Sequence, residues 1–161
     1  MELIYNIDNI LKNNKKPKIF LDMDGTIVEF IFDNKEDFAK DEGYIKKRPI
    51  KPIINKIKEV KDCYPYIEIV ILSCSKNNNM IKQKNEWLDI YMPFLKKEKR
   101  IFINEERVNY SDNNIKSKFI KNNILNNEIA IFIDDDHRLL SESRKTLGNK
   151  VVPMHVTSLL I

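Results

Sequence analysis

The sequence predicts an α/β fold: a Rossmann-like three-layer sandwich with a mostly parallel five-stranded sheet and a small cap insertion after strand one. Three observations predict it. Short apolar runs alternate with stretches of helical periodicity along the chain, the pattern of βα units. Three of the runs end in polar, reactive residues: Asp22 and Asp24, Ser73, and Asp134-Asp135-Asp136. In parallel sheets ligands bind outside the carboxyl ends of the strands, so these residues share one edge. A chain of 161 residues has room for one domain with a real core, over 1–161.

The elements follow in order. Leu3, Ile4, Ile7, Ile10 and Leu11 fall at helical spacing, which predicts an amphipathic helix over 2–13. Asn13-Asn14-Lys15-Lys16-Pro17 ends it, and strand one follows at 18–22. Residues 27–48 are mixed and charged, and read as a short excursion above the site. Ile50, Ile53, Ile54, Ile57 and Val60 mark a helix with Pro49 and Pro52 in its first turn. Tyr66 to Leu72 is a second strand, ending at Ser73-Cys74-Ser75. Met80, Ile81, Trp87, Leu88 and Tyr91 define a helix, and Arg100 to Ile103 a third strand. A helix over 115–125 turns Phe119, Ile120 and Ile124 inward. Ile129 to Ile133 is the fourth strand, 137–146 a helix, and Lys150 to Val152 a fifth strand limited by Pro153.

Composition excludes several classes. No apolar run approaches the roughly 20 residues that span a membrane. The N-terminus carries no signal-peptide pattern, because Glu2 and Asp8 interrupt it, so a cytoplasmic chain is expected. Cys63 and Cys74 make neither a disulfide framework nor a metal knuckle. The net charge of +4 is modest, and no basic stripe interleaved with aromatics marks a nucleic-acid surface. Lys46-Lys47-Arg48 reads as a solvated face. The sequence leaves a homodimer open.

The chemistry concentrates at the strand ends. Asp22 and Asp24 are i and i+2 on an extended chain, so their side chains converge. Gly25 permits a tight turn and Thr26 adds a hydroxyl. Asp134 and Asp135 bring further carboxylates, and four carboxylates in one cleft repel unless a cation holds them. Mg2+ suits oxygen ligands and accepts substrate phosphate as a partner. Ser73 is either a simple helix cap or a donor to phosphate, with the backbone of Cys74 and Ser75 in support. Lys84 lies on the apolar stripe of its helix and either snorkels or reaches a buried anion. Lys116 also lies on its helix's stripe and is preferred to Lys118 as the phosphate-binding lysine. His137 and His155 are candidates by type alone.

These residues together resemble the haloacid dehalogenase superfamily of phosphohydrolases. Phe20-Leu21-Asp22-Met23-Asp24-Gly25-Thr26 is similar to its first motif, Ile71-Leu72-Ser73 to its second, Lys116 to its third, and Ile131-Phe132-Ile133-Asp134-Asp135 to its fourth. Within the superfamily, Lys84-Asn85-Glu86-Trp87-Leu88 and Lys116-Ser117-Lys118-Phe119-Ile120 resemble segments of the 5′(3′)-deoxyribonucleotidase branch. The stretch between the first two motifs is short, which limits the cap to a small insertion around 28–48.

The resemblance implies a phosphatase that uses Mg2+ and forms an aspartyl-phosphate. Asp22 would be the nucleophile and Asp24 the acid and base. Mg2+ would be held by Asp22, Asp24, Asp134 and Asp135. Thr26, Ser73, Cys74, Lys84 and Lys116 would serve the phosphate, and the substrate would be a small phosphate ester, a nucleoside monophosphate above all. Two readings compete. One is a phosphatase for nucleic-acid 3′ ends, which a small cap would admit. The other is a catalytically silent binding domain, which the complete set of reactive residue types disfavours.

Overall fold

The computed structural model describes residues 2–30, 43–109 and 114–161. Its strands are β1 (Lys16–Leu21), β2 (Glu68–Ser75), β3 (Arg100–Asn104), β4 (Glu128–Asp134) and β5 (Val151–His155). They pair in the order β3-β2-β1-β4-β5, and every pair is parallel. Its α-helices are α1 (Glu2–Lys12), α2 (Lys51–Cys63), α3 (Asn78–Tyr91), α4 (Ile115–Asn122) and α5 (His137–Leu147).

The near-continuous apolar strands are explained by burial on both faces. Alternate residues point to opposite sides. Ile19 and Leu21 of β1, Ile69 and Ile71 of β2, and Ile131 and Ile133 of β4 join one core with Ile7 of α1, Ile57 of α2 and Trp87 of α3. Phe20, Val70, Leu72, Ala130 and Phe132 join the other, against Ile120 of α4 and Leu140 and Leu147 of α5. The helices before β3 therefore cover one face and the later two cover the other. The direction of winding switches between β1 and β4, and such a switch point opens a crevice at the strand ends.

Among the boundaries that differ from the sequence reading, three have a clear physical reason. β2 continues through Ser75, with Ser73, Cys74 and Ser75 in register with Phe102, Ile103 and Asn104 of β3. Polar residues at the end of a buried strand had the composition of a turn. β5 runs through Pro153 instead of stopping there. It pairs only with β4, so the missing N–H is tolerated on the edge strand. The helix expected over 115–125 ends at Asn122, with Asn123 as its C-cap.

Residues 31–42 of the expected cap insertion lie outside the described residues. Its two ends are tied together. Val28 bridges Pro49 in antiparallel fashion, Glu29 N–H donates to the Arg48 carbonyl at 2.9 Å, and Ile50 N–H donates to the Ile27 carbonyl at 2.8 Å. Among the described residues no helix is long and apolar enough to cross a membrane.

Candidate active site

The turn after β1 sets the first half of the site. Asp22 N–H still donates to the Ile133 carbonyl at 3.0 Å, so the chain stays beside β4 as it leaves the sheet. The N–H groups of Thr26, Ile27 and Val28 then all point at the Met23 carbonyl, at 3.1, 2.9 and 3.0 Å. This tight turn requires Gly25, whose φ is +79°. A Cβ on Gly25 would overlap the Asp135 carboxylate. The glycine therefore lets the turn after β1 and the end of β4 close upon each other.

Asp22, Asp134 and Asp135 each offer a carboxylate oxygen within 4.8 Å of the others. Lys116, 5% exposed, reaches between them from α4. Its Nζ donates to Asp22 Oδ1 and to Asp134 Oδ2, both at 2.7 Å. Burial disfavours an ammonium, but Asp22 and Asp134 outweigh it and raise Lys116 above its ordinary range. Burial pushes the Asp22 carboxyl up to about 6, with Asp134 adding repulsion against the pull of Lys116. Burial also raises Asp134 and Asp135. One ammonium faces three carboxylates, so the cluster is short of positive charge. Lys118, off the stripe, is exposed.

Asp136 has a separate job. Its side chain accepts from Arg138 N–H at 2.8 Å and caps α5, while its own N–H donates to Asp134 Oδ1 at 2.9 Å. His155 places Nε2 3.1 Å from the Asp135 carbonyl and stacks on His137 with ring centroids 4.3 Å apart. The histidines border the acidic cluster without joining it.

The second half of the site is built around Asp24. Lys84, 2% exposed, donates to Asp24 Oδ2 at 2.8 Å, to Ser73 Oγ at 2.8 Å and to the Cys74 carbonyl at 2.7 Å. Lys84 thus reaches a half-buried anion rather than snorkelling. Asp24 Oδ1 accepts from the Tyr44 hydroxyl at 2.9 Å and from Lys47 Nζ at 3.1 Å. Burial pushes Asp24 up, but Lys84 and Lys47 outweigh it and bring the carboxyl to about 2. Burial and the Asp24 charge raise Tyr44 well above the phenol range.

Several expected roles change. Thr26 is fully buried, with its hydroxyl 3.5 Å from Asp22 Oδ2, so it steadies the carboxylate rather than lining a phosphate pocket. Cys74 meets the site through a carbonyl, which accepts from Lys84, and not as part of a turn of donors. Its thiol packs against the core on the α4 side, where burial pushes it up to about 11. Lys47, read from sequence as part of a solvated face, turns inward onto Asp24, while Arg48 beside it is 81% exposed in its side chain. Tyr44 and Lys47 were the residues that sequence reasoning missed. The available signal was an aromatic and a lysine three apart, just after the insertion.

No family model and no curated protein matches the sequence. Solved structures do match. A chain in the structure of the Pnkp1/Rnl/Hen1 RNA repair complex superposes with a TM-score of 0.62 at 15% identity, over 88% of this chain and 43% of that one. The chain thus spans less than half the length of that relative. A haloacid dehalogenase-like hydrolase from Burkholderia xenovorans LB400 gives a TM-score of 0.54 at 11% identity, over 86% of this chain and 83% of that one. The N-terminal part of a Bacteroides fragilis protein, containing a phosphatase domain and complexed with Mg, gives 0.56 at 17% identity, over 94% of this chain and 39% of that one. With its all-parallel sheet and strand-end carboxylates, the chain has the fold of the haloacid dehalogenase-like hydrolases.

Proposed function

We propose that the chain is a Mg2+-dependent phosphomonoester hydrolase that works through an aspartyl-phosphate on Asp22. The observation that carries this reading is the buried bridge from Lys116 to Asp22 and Asp134, facing a second lysine that joins Asp24 to Ser73. A carboxylate attacking a phosphate dianion must overcome charge repulsion, and fixed ammonium groups reduce it.

Asp22 attacks phosphorus, the phosphorus–ester oxygen bond breaks, and the leaving oxygen takes a proton from the Asp24 carboxyl. Water then attacks the same phosphorus, its proton returns to Asp24, and the bond to Asp22 breaks to regenerate the carboxylate. Ser73, Lys84 and Lys116 bear the charge that spreads over the phosphoryl oxygens. The cluster's donors fit a divalent cation: three carboxylates converge, only two of them bonded to the one ammonium, and hard oxygen ligands suit Mg2+. Asp22, Asp134 and Asp135, with the Asp24 backbone carbonyl, would hold the ion, which would supply positive charge beside the transferring group.

The substrate class we assign is nucleoside monophosphates, supported by the resemblance of the Lys84–Leu88 and Lys116–Ile120 segments to deoxyribonucleotidases. Trp87 of that segment is fully buried and donates to the Lys47 carbonyl at 3.0 Å, so it braces the site rather than stacking on a base. A second reading, a phosphatase for nucleic-acid 3′ ends, is favoured by the likeness to a chain of an RNA repair complex. Phosphate release from 5′- and 3′-nucleotides, sugar phosphates and a 3′-phosphorylated oligonucleotide, with Mg2+ and with EDTA, tests both. Release from the nucleotides that EDTA abolishes is expected. Preferential release from the oligonucleotide would move the assignment to end processing, and EDTA-resistant release would refute the metal requirement.

A further inference from the structure

We infer that Tyr44 and Lys47 are positioning residues for proton transfer: together they saturate Oδ1 of Asp24 and so reserve Oδ2 for the proton that reaches the leaving group. The inference rests on the phosphatase reading above and adds two residues to it.

A carboxyl oxygen that already accepts two hydrogen bonds has no remaining lone pair well placed for a proton. Asp24 Oδ1 accepts from Tyr44 Oη at 2.9 Å and Lys47 Nζ at 3.1 Å. Among the described residues Oδ2 accepts only from Lys84, which also bonds Ser73 Oγ. Oδ2 therefore faces the Ser73 side of the cleft, where the phosphate would sit. Turning the protonated carboxyl over would aim its O–H at these two donors, so they hold the proton on the opposite oxygen.

The clamp is built, not incidental. Tyr44 is 1% exposed, and its backbone N–H donates to Gln83 Oε1 at 2.9 Å. The Lys47 carbonyl accepts from Trp87 Nε1 at 3.0 Å. Gln83 and Trp87 flank Lys84 on one face of α3, so a single helix face sets the lysine on Oδ2 and anchors the segment that delivers both donors to Oδ1. Lys47 Nζ also lies 4.6 Å from the centre of the Tyr44 ring, which holds the two side chains together. The segment closes the insertion after β1, so the return limb of that insertion belongs to the proton-transfer machinery.

The test uses the dependence on leaving group. An aryl ester such as p-nitrophenyl phosphate expels a stable anion and needs little help from an acid, whereas an alkyl phosphate needs a proton. Because kcat/KM reports the step that expels the leaving group, it is measured for both esters in wild type, Tyr44→Phe and Lys47→Met, with circular dichroism as a check on folding. The ratio of aryl to alkyl kcat/KM is expected to rise about tenfold or more in Tyr44→Phe, the loss of one hydrogen bond to a charged group, and to rise less in Lys47→Met, whose lost positive charge also eases protonation of Asp24. Lys47→Arg is expected to restore the ratio in part. An unchanged ratio, whether both rates fall together or neither falls, overturns the clamp and leaves the phosphatase reading standing. Wild-type protein inactive on both esters, and on the nucleotide panel, overturns the phosphatase reading and the clamp with it.

Discussion

Replacing Asp22 by Asn is expected to stabilise the chelated protein while abolishing turnover. Asp22 is 5% exposed, and its ordinary carboxyl value of 3.8 rises to about 6 in the fold, chiefly through burial. At 1.36 kcal/mol per pH unit, ionising it in the folded state costs about 3 kcal/mol. Asn keeps the volume and one acceptor for Lys116 but loses a charge-assisted bond, which returns about 1 kcal/mol. The net gain at pH 7 is about 2 kcal/mol, or roughly 4–8 °C in Tm for a chain of this size. The sign follows from the raised value. The contribution of the wild-type carboxyl is fully present below pH 3.8 and is lost as pH rises through about 6. The advantage of Asn should therefore be absent near pH 4, grow to pH 6 and stay level above it. Urea unfolding in EDTA at pH 4.5, 6 and 7.5 measures it. An Asn variant that is less stable at pH 7.5, or a gain that does not shrink towards pH 4.5, would refute the account of the cluster as short of positive charge.

Two further changes probe the same cluster. Lys116→Met leaves Asp22 and Asp134 buried without their shared cation; a loss of about 3–5 kcal/mol in urea unfolding with EDTA is expected, along with phosphate release reduced at least a hundredfold. Gly25→Ala must hold an L-residue at φ +79° and push its methyl group into Asp135, so a loss of about 1–2 kcal/mol and weaker Mg2+ binding by isothermal titration are expected.

Much of this was legible because burial on both faces of a parallel sheet leaves apolar runs that only strands of this kind produce. Ile69-Val70-Ile71-Leu72 and Ile129 to Ile133 announced themselves, and the acids and serine that ended such runs fell at one edge. Lys84 and Lys116 stood out because each occupied a helix stripe where an apolar residue belonged, and both are buried onto carboxylates. Tyr44 and Lys47 carried no such mark. They sit on a short 3-10 turn, Tyr44–Lys46, and the extended residue after it, with no periodicity to orient them. Their inward direction is imposed by Gln83 and Trp87, nearly 40 residues on, a contact that local pattern does not encode. The placement of Thr26 was not legible for a related reason: a hydroxyl stands beside a carboxylate pair, and only the buried turn decides that it faces Asp22.

The two aspartates of the first turn are poised in the opposite sense to the one turnover needs. A nucleophile should be ionised and a proton donor protonated near the working pH. In the ligand-free protein burial lifts Asp22 to about 6, while Lys84 and Lys47, against the effect of burial, take Asp24 to about 2. Under the proposed mechanism, added positive charge among the three clustered carboxylates, two of which share Lys116, would correct Asp22. Under the same mechanism, the substrate itself would correct Asp24. Lys84 spends its donors on Asp24, Ser73 and the Cys74 carbonyl, and a phosphate dianion arriving at Ser73 competes for them. Losing that bond and gaining a negative neighbour both raise Asp24, so the phosphate prepares its own proton donor. On that proposal Lys84 would serve twice, first as the partner of Asp24 and then as the partner of the phosphate. The exchange between those partners would make the acid available and so tie proton transfer to the presence of a charged ester.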